Sequence, residues 1–250
     1  MKKSINLLIG TVLTLIFSIS IYIVDSYSLE KDNLELLILN NKYRKELKRE
    51  IENINNISKC NSDDQECIKV SSSEKNLNYD TYKELLLRNL EESAIEEAKL
   101  EKIIQQEKQI EIKENNLEFI KGQWPVKEYE GVSSPYGYRV HPITSSLKFH
   151  RGVDIPAPEN TDILSSDDGI VIFSGVQNGY GNVVKIKHFD GKVTIYAHNF
   201  INIVEEGDVV RKGELIAKVG STGDSTGNHV HFEMIVNDKN IDPITGIEDI

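Results

Sequence analysis

Several residue types are scarce in this sequence, and the scarcity excludes some classes of protein. Basic residues are outnumbered, because 29 Lys and Arg stand against 40 Asp and Glu, which gives a net charge of −11. A general nucleic-acid binder would show a basic face, so no nucleic-acid partner is expected. Cysteine is limited to Cys60 and Cys67. No histidine lies near them, and a closed zinc site needs four ligands, so no zinc site is expected at these cysteines.

Proline and glycine are missing altogether from one long stretch. Between Ser28 and about Ile120 the chain contains neither residue and is rich in Glu, Lys, Asn, Leu and Ile. The absence of both helix breakers, with apolar residues repeating at steps of three, four and seven, predicts helices with coiled-coil-like spacing. The repeating residues are Tyr43, Leu47, Ile51 and Ile54, followed by Ile103, Ile110 and Leu117.

This helical region, residues 28–122, has two interpretations. It forms either two solvated helices that pack loosely, or a helical hairpin that spaces the C-terminal half from a membrane or docks a protein partner. Self-association through the helices belongs to the second interpretation. Cys60 and Cys67 bound the sequence CNSDDQEC between the helices. They form either a structural disulfide at the turn of the hairpin or two idle thiols.

Charge is missing from a run near the N-terminus, Ile5 to Val24. About twenty residues without a charge match the thickness of a bilayer, and Lys2 and Lys3 precede the run, so we expect a transmembrane anchor in residues 1–27. The expected localisation is a single-pass membrane protein with a cytoplasmic N-terminus and an external C-terminal domain. The alternative is a cleaved signal peptide, which usually has a shorter apolar core.

The composition changes after Lys121, where glycine and proline appear and where all six histidines follow. Segments rich in Val, Ile and Tyr alternate apolar and polar residues and predict β-strands at 169–175, 182–189 and 192–199. Asp190–Gly191 between two of them predicts a hairpin with a type I′ turn. We therefore expect an α+β chain whose residues 123–250 form a small antiparallel β domain.

Two histidines near the C-terminus occupy alternate positions in the sequence GSTGDSTGNHVHFE. In a strand, His229 and His231 project from one face while Val230 and Phe232 point into the core. One interpretation is a pair of exposed polar residues on the solvent side of a half-buried strand. His150, Asp154 and His198 favour another, because imidazole and carboxylate suit zinc and surplus histidines can transfer protons. Spacing alone leaves open which of the five bind metal.

The C-terminal half resembles the M23 peptidase family, the LytM or lysostaphin-type zinc metallopeptidases that cut peptide cross-links in bacterial peptidoglycan. The resemblance covers the chain from about Trp124 onward. It rests on the segments SSPYGYRVHPIT, FHRGVDIPAP, GYGN, YAHN and GSTGDSTGNHVHFE. It implies a small two-sheet β domain of the LytM type, with the site in a groove across one sheet, one Zn²⁺ per chain and a peptidoglycan peptide as substrate.

Carried over position by position, the resemblance implies roles for five residues. His150, Asp154 and His231 are the expected zinc ligands, and His198 and His229 are the expected catalytic histidines. Two further residues, Arg139 and His141, are candidates for substrate binding at the groove wall, and His188 is expected to be structural.

The function expected from these residues is that of a membrane-anchored peptidoglycan endopeptidase. The alternative is a regulator of other cell-wall hydrolases that is itself non-catalytic or depends on a partner. Some relatives that combine a coiled coil with this domain have lost metal ligands and act in that way. The five-residue set distinguishes the two, because a degenerate domain has no reason to keep it together.

Overall fold

The structure is a computed structural model, and it describes residues 32–58, 74–140 and 146–248. The chain divides into two compact units between Ile103 and Ile104. The described residues form two α-helices, twelve β-strands and one short 3₁₀ helix. An α+β chain with antiparallel sheets is therefore confirmed, while the three domain boundaries given above stay a prediction.

Helix α1 runs Asn33–Ser58 and helix α2 runs Glu74–Glu114. Within the first unit, apolar side chains of both helices form one buried cluster. Its members are Leu47, Ile54 and Leu86, with Tyr43, Ile51, Tyr82 and Leu90 packed against them. A polar contact joins the same helices, since Ser93 Oγ donates to Asn40 Oδ1 at 2.6 Å. The four repeating residues of α1 thus lie in or against a core.

The seven-residue repeat further along the chain behaves differently. Ile103, Ile110 and Leu117 are 41%, 54% and 46% exposed, so they do not form a buried seam in the described part of the chain. A coiled coil stays a prediction. Cys60 and Cys67 lie outside the described residues, so the predicted disulfide also stays a prediction.

The predicted localisation needs a correction. Within residues 32–58, 74–140 and 146–248, no helix is long and apolar enough to cross a membrane. The physical reason is the charge that α1 and α2 carry throughout their length. The predicted anchor, residues 5–24, lies outside the described residues. On this finding the prediction of a single-pass membrane protein is wrong.

The β domain contains twelve strands in the described residues. They are β1 (Gly137–Val140), β2 (Leu147–His150), β3 (Val153–Pro156), β4 (Asp162–Leu164), β5 (Gly169–Gln177), β6 (Gly181–His188), β7 (Val193–Asn199), β8 (Ile201–Asn202), β9 (Val209–Val210), β10 (Leu215–Lys218), β11 (His229–Val236) and β12 (Lys239–Ile241). The three strands predicted from alternation correspond to β5, β6 and β7. The 3₁₀ helix, Pro243–Gly246, follows β12.

The strands form one large and two small antiparallel sheets. The large sheet has the order β12–β11–β7–β6–β5–β9, with β3 also paired to β11. The order β4–β10–β8 makes a three-stranded sheet, and β1–β2 is a separate hairpin that the two-sheet prediction did not include. One core cluster contains residues of the large sheet and of the three-stranded sheet. Ile163 and Ile216 of the three-stranded sheet pack there with Ile186 and Phe232 of the large sheet. Removal of such side chains from water is the main force that holds the sheets together.

The hairpin between β6 and β7 is present, but its turn differs from the predicted one. The His188 N–H donates to the Lys192 carbonyl at 2.9 Å, which leaves three residues in the loop. Among these, only Gly191 has a positive φ, at 99°. A type I′ turn needs positive φ at two consecutive residues, whereas a three-residue loop needs it at the last residue alone. The prediction of a hairpin from the Asp-Gly pair is therefore correct, and the prediction of a type I′ turn is wrong.

Candidate active site

Strand β11 presents three polar side chains on one face. His229, His231 and Glu233 occupy alternate positions, and alternate side chains of a strand project to the same side. Val230 and Phe232 between them are fully buried in the core. The strand is therefore anchored by its apolar face, and its other face is available for chemistry.

Asp154 lies directly opposite His231 in the register of β3 and β11. His150, at the end of β2, reaches the same point because the chain after it passes closely over β11. A Cβ placed on Gly152 would lie 2.2 Å from the carbonyl oxygen of Phe232. Glycine permits this approach because it has no Cβ. The register of β3 and β11 brings Asp154 to His231, and the close approach at Gly152 brings His150 there.

Three atoms of these segments converge on one point. His150 Nε2 lies 3.1 Å from Asp154 Oδ1 and 3.0 Å from His231 Nδ1. The third side of the triangle, from His231 Nδ1 to Asp154 Oδ1, is 2.9 Å. A tetrahedral zinc ion with bonds of about 2.0–2.1 Å holds its ligand atoms about 3.3 Å apart. The two nitrogens and the oxygen therefore fit one metal ion after a small outward shift.

The remaining ring nitrogens of both histidines have acceptors of their own. His150 Nδ1 lies 2.9 Å from the carbonyl oxygen of Pro135, and His231 Nε2 lies 3.0 Å from Glu233 Oε1. A carbonyl oxygen can only accept, so Nδ1 of His150 carries the proton. The carboxylate of Glu233 likewise accepts from Nε2 of His231. In each ring the nitrogen that faces the shared point is then free to bind a cation.

The charges around this point favour a bound cation. Burial alone would raise the pKa of Asp154, but the imidazoles of His150 and His231 hold it well below its usual range. Burial alone would lower the pKa of His231, yet the carboxylates of Asp154 and Glu233 raise it. The second oxygen of Asp154 accepts a hydrogen bond from Arg139 Nη2 at 3.2 Å. The carboxylate is therefore fixed in orientation and ionised.

Two further histidines stand beside this group. His198 Nδ1 lies 2.8 Å from the carbonyl oxygen of Thr222, and His229 Nδ1 lies 2.7 Å from that of Gly227. Because each Nδ1 donates to a carbonyl, Nε2 is the basic nitrogen of both rings. The two ring centroids are 4.8 Å apart, and His229 Nε2 lies 3.6 Å from Asp154 Oδ1.

The backbone of His198 is held in an unusual conformation. Its φ is 65°, in the left-handed region that non-glycine residues rarely occupy. Such strain is typical of functional sites, where the surrounding structure fixes a side chain in one position. Burial lowers the pKa of His198 to about 4, and the neighbouring His229 and His231 act in the same direction. The ring is therefore neutral near pH 7.

Both groups of histidines line one cleft of about 260 Å³. Its wall also includes basic and aromatic side chains, namely Arg139, Lys148, Phe149, Arg151 and Tyr180. Residues 148–243, which contain the three expected zinc ligands and the two expected catalytic histidines, match the model of Peptidase family M23. These residues form an M23 peptidase domain. The resemblance inferred from the sequence is thus confirmed.

The M23 domain has relatives among bacterial cell-wall enzymes. The chain is 45% identical over 117 residues to the DD-carboxypeptidase/endopeptidase Mpg of Neisseria meningitidis, and this match covers 47% of the chain and 27% of that protein. It is 38% identical over 119 residues to the peptidoglycan DD-endopeptidase ShyC of Vibrio cholerae, 47% of this chain and 28% of that protein. The chain therefore spans less than a third of the length of these relatives.

A solved structure is also similar to part of this chain. It is a zinc-containing peptidase from Vibrio cholerae, with 32% identity and a TM-score of 0.48. The similarity covers 52% of this chain and 40% of that one.

The M23 domain brings together five of the residues that the sequence singles out: His150, Asp154, His198, His229 and His231. Arg139 lines the same cleft and contacts a member of the group. His141 lies outside the described residues. His188 is buried elsewhere, with Nε2 2.7 Å from Thr194 Oγ1 and Nδ1 3.1 Å from the carbonyl oxygen of Asp168. Its expected structural role agrees with these contacts.

Two residues of the cleft, Glu233 and Tyr180, are not among the candidates that the sequence predicts. Glu233 accepts hydrogen bonds from His231 and from Tyr180, whose hydroxyl lies 2.6 Å from Glu233 Oε1. Glu233 could have been found, because it continues the alternation of His229 and His231 by one more step. Nothing in the local sequence links Tyr180 to β11, since 53 residues separate it from Glu233.

Proposed function

We propose that the M23 domain is a zinc metallo-endopeptidase that hydrolyses peptide cross-links of bacterial peptidoglycan, with one zinc ion per chain. The observation that carries the proposal is the cleft itself. It holds three converging ligand atoms and, next to them, two imidazoles whose basic nitrogen is Nε2. The choice of substrate is supported by two relatives, of which one is a DD-carboxypeptidase/endopeptidase and the other a peptidoglycan DD-endopeptidase.

We assign the metal to His150, Asp154 and His231. Two imidazoles and one carboxylate are ligands that suit zinc, and three protein ligands leave one position open, as in catalytic rather than structural sites. When bound there, zinc supplies a Lewis acid that polarises a carbonyl and lowers the pKa of water toward about 7. The chain's own contribution is to hold the three ligand atoms in place and to fix the carboxylate through Arg139.

We assign the proton transfers to His198 and His229 jointly. Hydrolysis of an amide forms a bond from carbon to a water oxygen, breaks the carbon–nitrogen bond and yields a carboxylic acid and an amine. The water must lose a proton, and the leaving nitrogen must gain one. Nε2 of a neutral imidazole in the cleft can accept the first proton and donate the second. The carbonyls of Thr222 and Gly227 keep each ring in the required tautomer.

The helical region offers a separate surface for a protein partner or for self-association. Support comes from apolar side chains that α2 leaves exposed, Ile95 and Ile103 among them. A partner bound to these exposed side chains is compatible with an enzyme that acts together with another protein. A regulator without activity would need none of the five cleft residues, so we favour the enzyme.

The proposed activity is tested by digestion of purified peptidoglycan with the full chain. We expect release of peptide fragments whose masses show that one cross-link amide has gained one water. A metal chelator should stop the release, and added zinc should restore it. Fragments cut in the glycan strand, or no fragments from zinc-loaded protein, would contradict the proposal.

A further inference from the structure

Glu233 is the least accessible charged group in contact with the candidate metal ligands. Its side chain is 2% exposed, although it carries a carboxylate. Oε1 accepts from His231 Nε2 at 3.0 Å and from the Tyr180 hydroxyl at 2.6 Å, and Oε2 accepts from Asn240 Nδ2 at 2.7 Å. Both oxygens are thus satisfied, which a buried carboxylate requires.

We propose that Glu233 is a positioning residue that fixes His231 in the tautomer with Nε2 protonated and Nδ1 directed at the metal. This inference rests on the proposed metal site. Neutral imidazole exists in two tautomers, and only one of them leaves Nδ1 free to bind. A carboxylate beside Nε2 selects that tautomer and makes Nδ1 more basic, since a charged acceptor forms a stronger hydrogen bond than a neutral one.

Asn240 completes the arrangement from the neighbouring strand β12. Its amide donates to Glu233 Oε2 and also to the carbonyl oxygen of Arg151, at 3.2 Å. Arg151 directly follows His150 in the chain, so Asn240 connects the segments that carry two of the three ligands. The rigid position of Glu233 therefore depends on a hydrogen bond made away from the metal.

Glu233 Oε1, the oxygen that accepts from His231, also orients Tyr180. The Tyr180 hydroxyl donates to Oε1, and burial and the nearby carboxylate raise the pKa of that hydroxyl above its usual value. The ring lies 5.9 Å from that of His231, centroid to centroid. Glu233 thus fixes a wall of the cleft and a metal ligand through one atom.

The test compares Glu233→Leu, which removes the acceptor, with Glu233→Gln, which keeps an uncharged acceptor. Zinc affinity of the full chain is measured by competition with a chromogenic chelator. Loss of such a partner typically weakens metal affinity by about 10–100-fold. We expect that loss for Glu233→Leu, a smaller one for Glu233→Gln, and none for Glu206→Gln, a control on an exposed turn.

A second readout separates positioning from general destabilisation. The ¹⁵N chemical shifts of the His231 ring, assigned by their loss in His231→Ala, report the tautomer of the metal-free protein at a pH above the raised pKa of that ring, where the ring is neutral. We expect the Nε2-protonated form in the parent and in Glu233→Gln, and a mixture of tautomers in Glu233→Leu. If Glu233→Leu does not fold, Asn240→Ala takes its place, with a smaller loss of zinc affinity expected.

The outcomes are separable. Unchanged zinc affinity and an unchanged tautomer in the variants would overturn the role of Glu233 while leaving the metal site intact. A parent protein that binds no zinc would overturn the proposed function, and the ¹⁵N measurement would still decide whether Glu233 sets the tautomer. Weaker zinc binding with the parent's tautomer would also overturn the inference, because the acceptor would then act only through stability.

Discussion

His231→Ala is expected to remove both the bound zinc and the hydrolysis of peptidoglycan. His231 supplies one of three converging ligand atoms, so the variant keeps only two. It also leaves the buried carboxylate of Glu233 without one of its donors. Zinc per chain after gel filtration and the release of peptide fragments measure the two losses.

His188→Ala is the matched control for that variant. His188 is a buried strand histidine in the same domain, but it contacts Thr194 and not the cleft. We expect a lower melting temperature with zinc content unchanged in the folded protein. If His231→Ala retained the parent's zinc, the ligand assignment would be wrong.

The second large effect concerns the histidines beside the metal group. His229→Ala and His198→Ala should each keep the zinc and lower hydrolysis by about 10²–10⁴-fold, the range usual for loss of general acid–base catalysis. Neither ring is needed to hold the three converging atoms. The measurements are zinc content and the rate of fragment release from the same protein sample.

Two other results for the histidine variants would contradict the assigned roles. Loss of zinc in His229→Ala, with zinc retained in His231→Ala, would exchange the roles of the two alternate histidines. Hydrolysis at the parent's rate in both His198→Ala and His229→Ala would place the proton transfers on other residues.

Alternation along the chain predicts the longer strands well. β5, β6 and β7 follow from Val- and Ile-rich segments, because each is long enough to show the two-residue period. β8, Ile201–Asn202, has two residues, so it shows no period. Its conformation is set by its pairing with β10, which local sequence does not encode.

The sequence predicts which residues form the candidate site, but it does not predict how they are arranged in space. The alternation of His229 and His231 gives the shared face, and the resemblance gives the partners. The pairing of Asp154 with His231 depends on the register of two strands that are 77 residues apart. Glu233 follows from the same alternation, but its contact with Tyr180 depends on the packing of the large sheet.

Zinc titration of the metal-free full chain tests the central claim most directly. Hydrolysis of purified peptidoglycan, followed as newly released amino groups, is measured against the zinc bound per chain. We predict no hydrolysis without metal and a linear rise that ends at about one zinc per chain, as a single three-ligand catalytic site requires. Hydrolysis by the metal-free protein, or zinc binding at this site without any hydrolysis, would contradict the account.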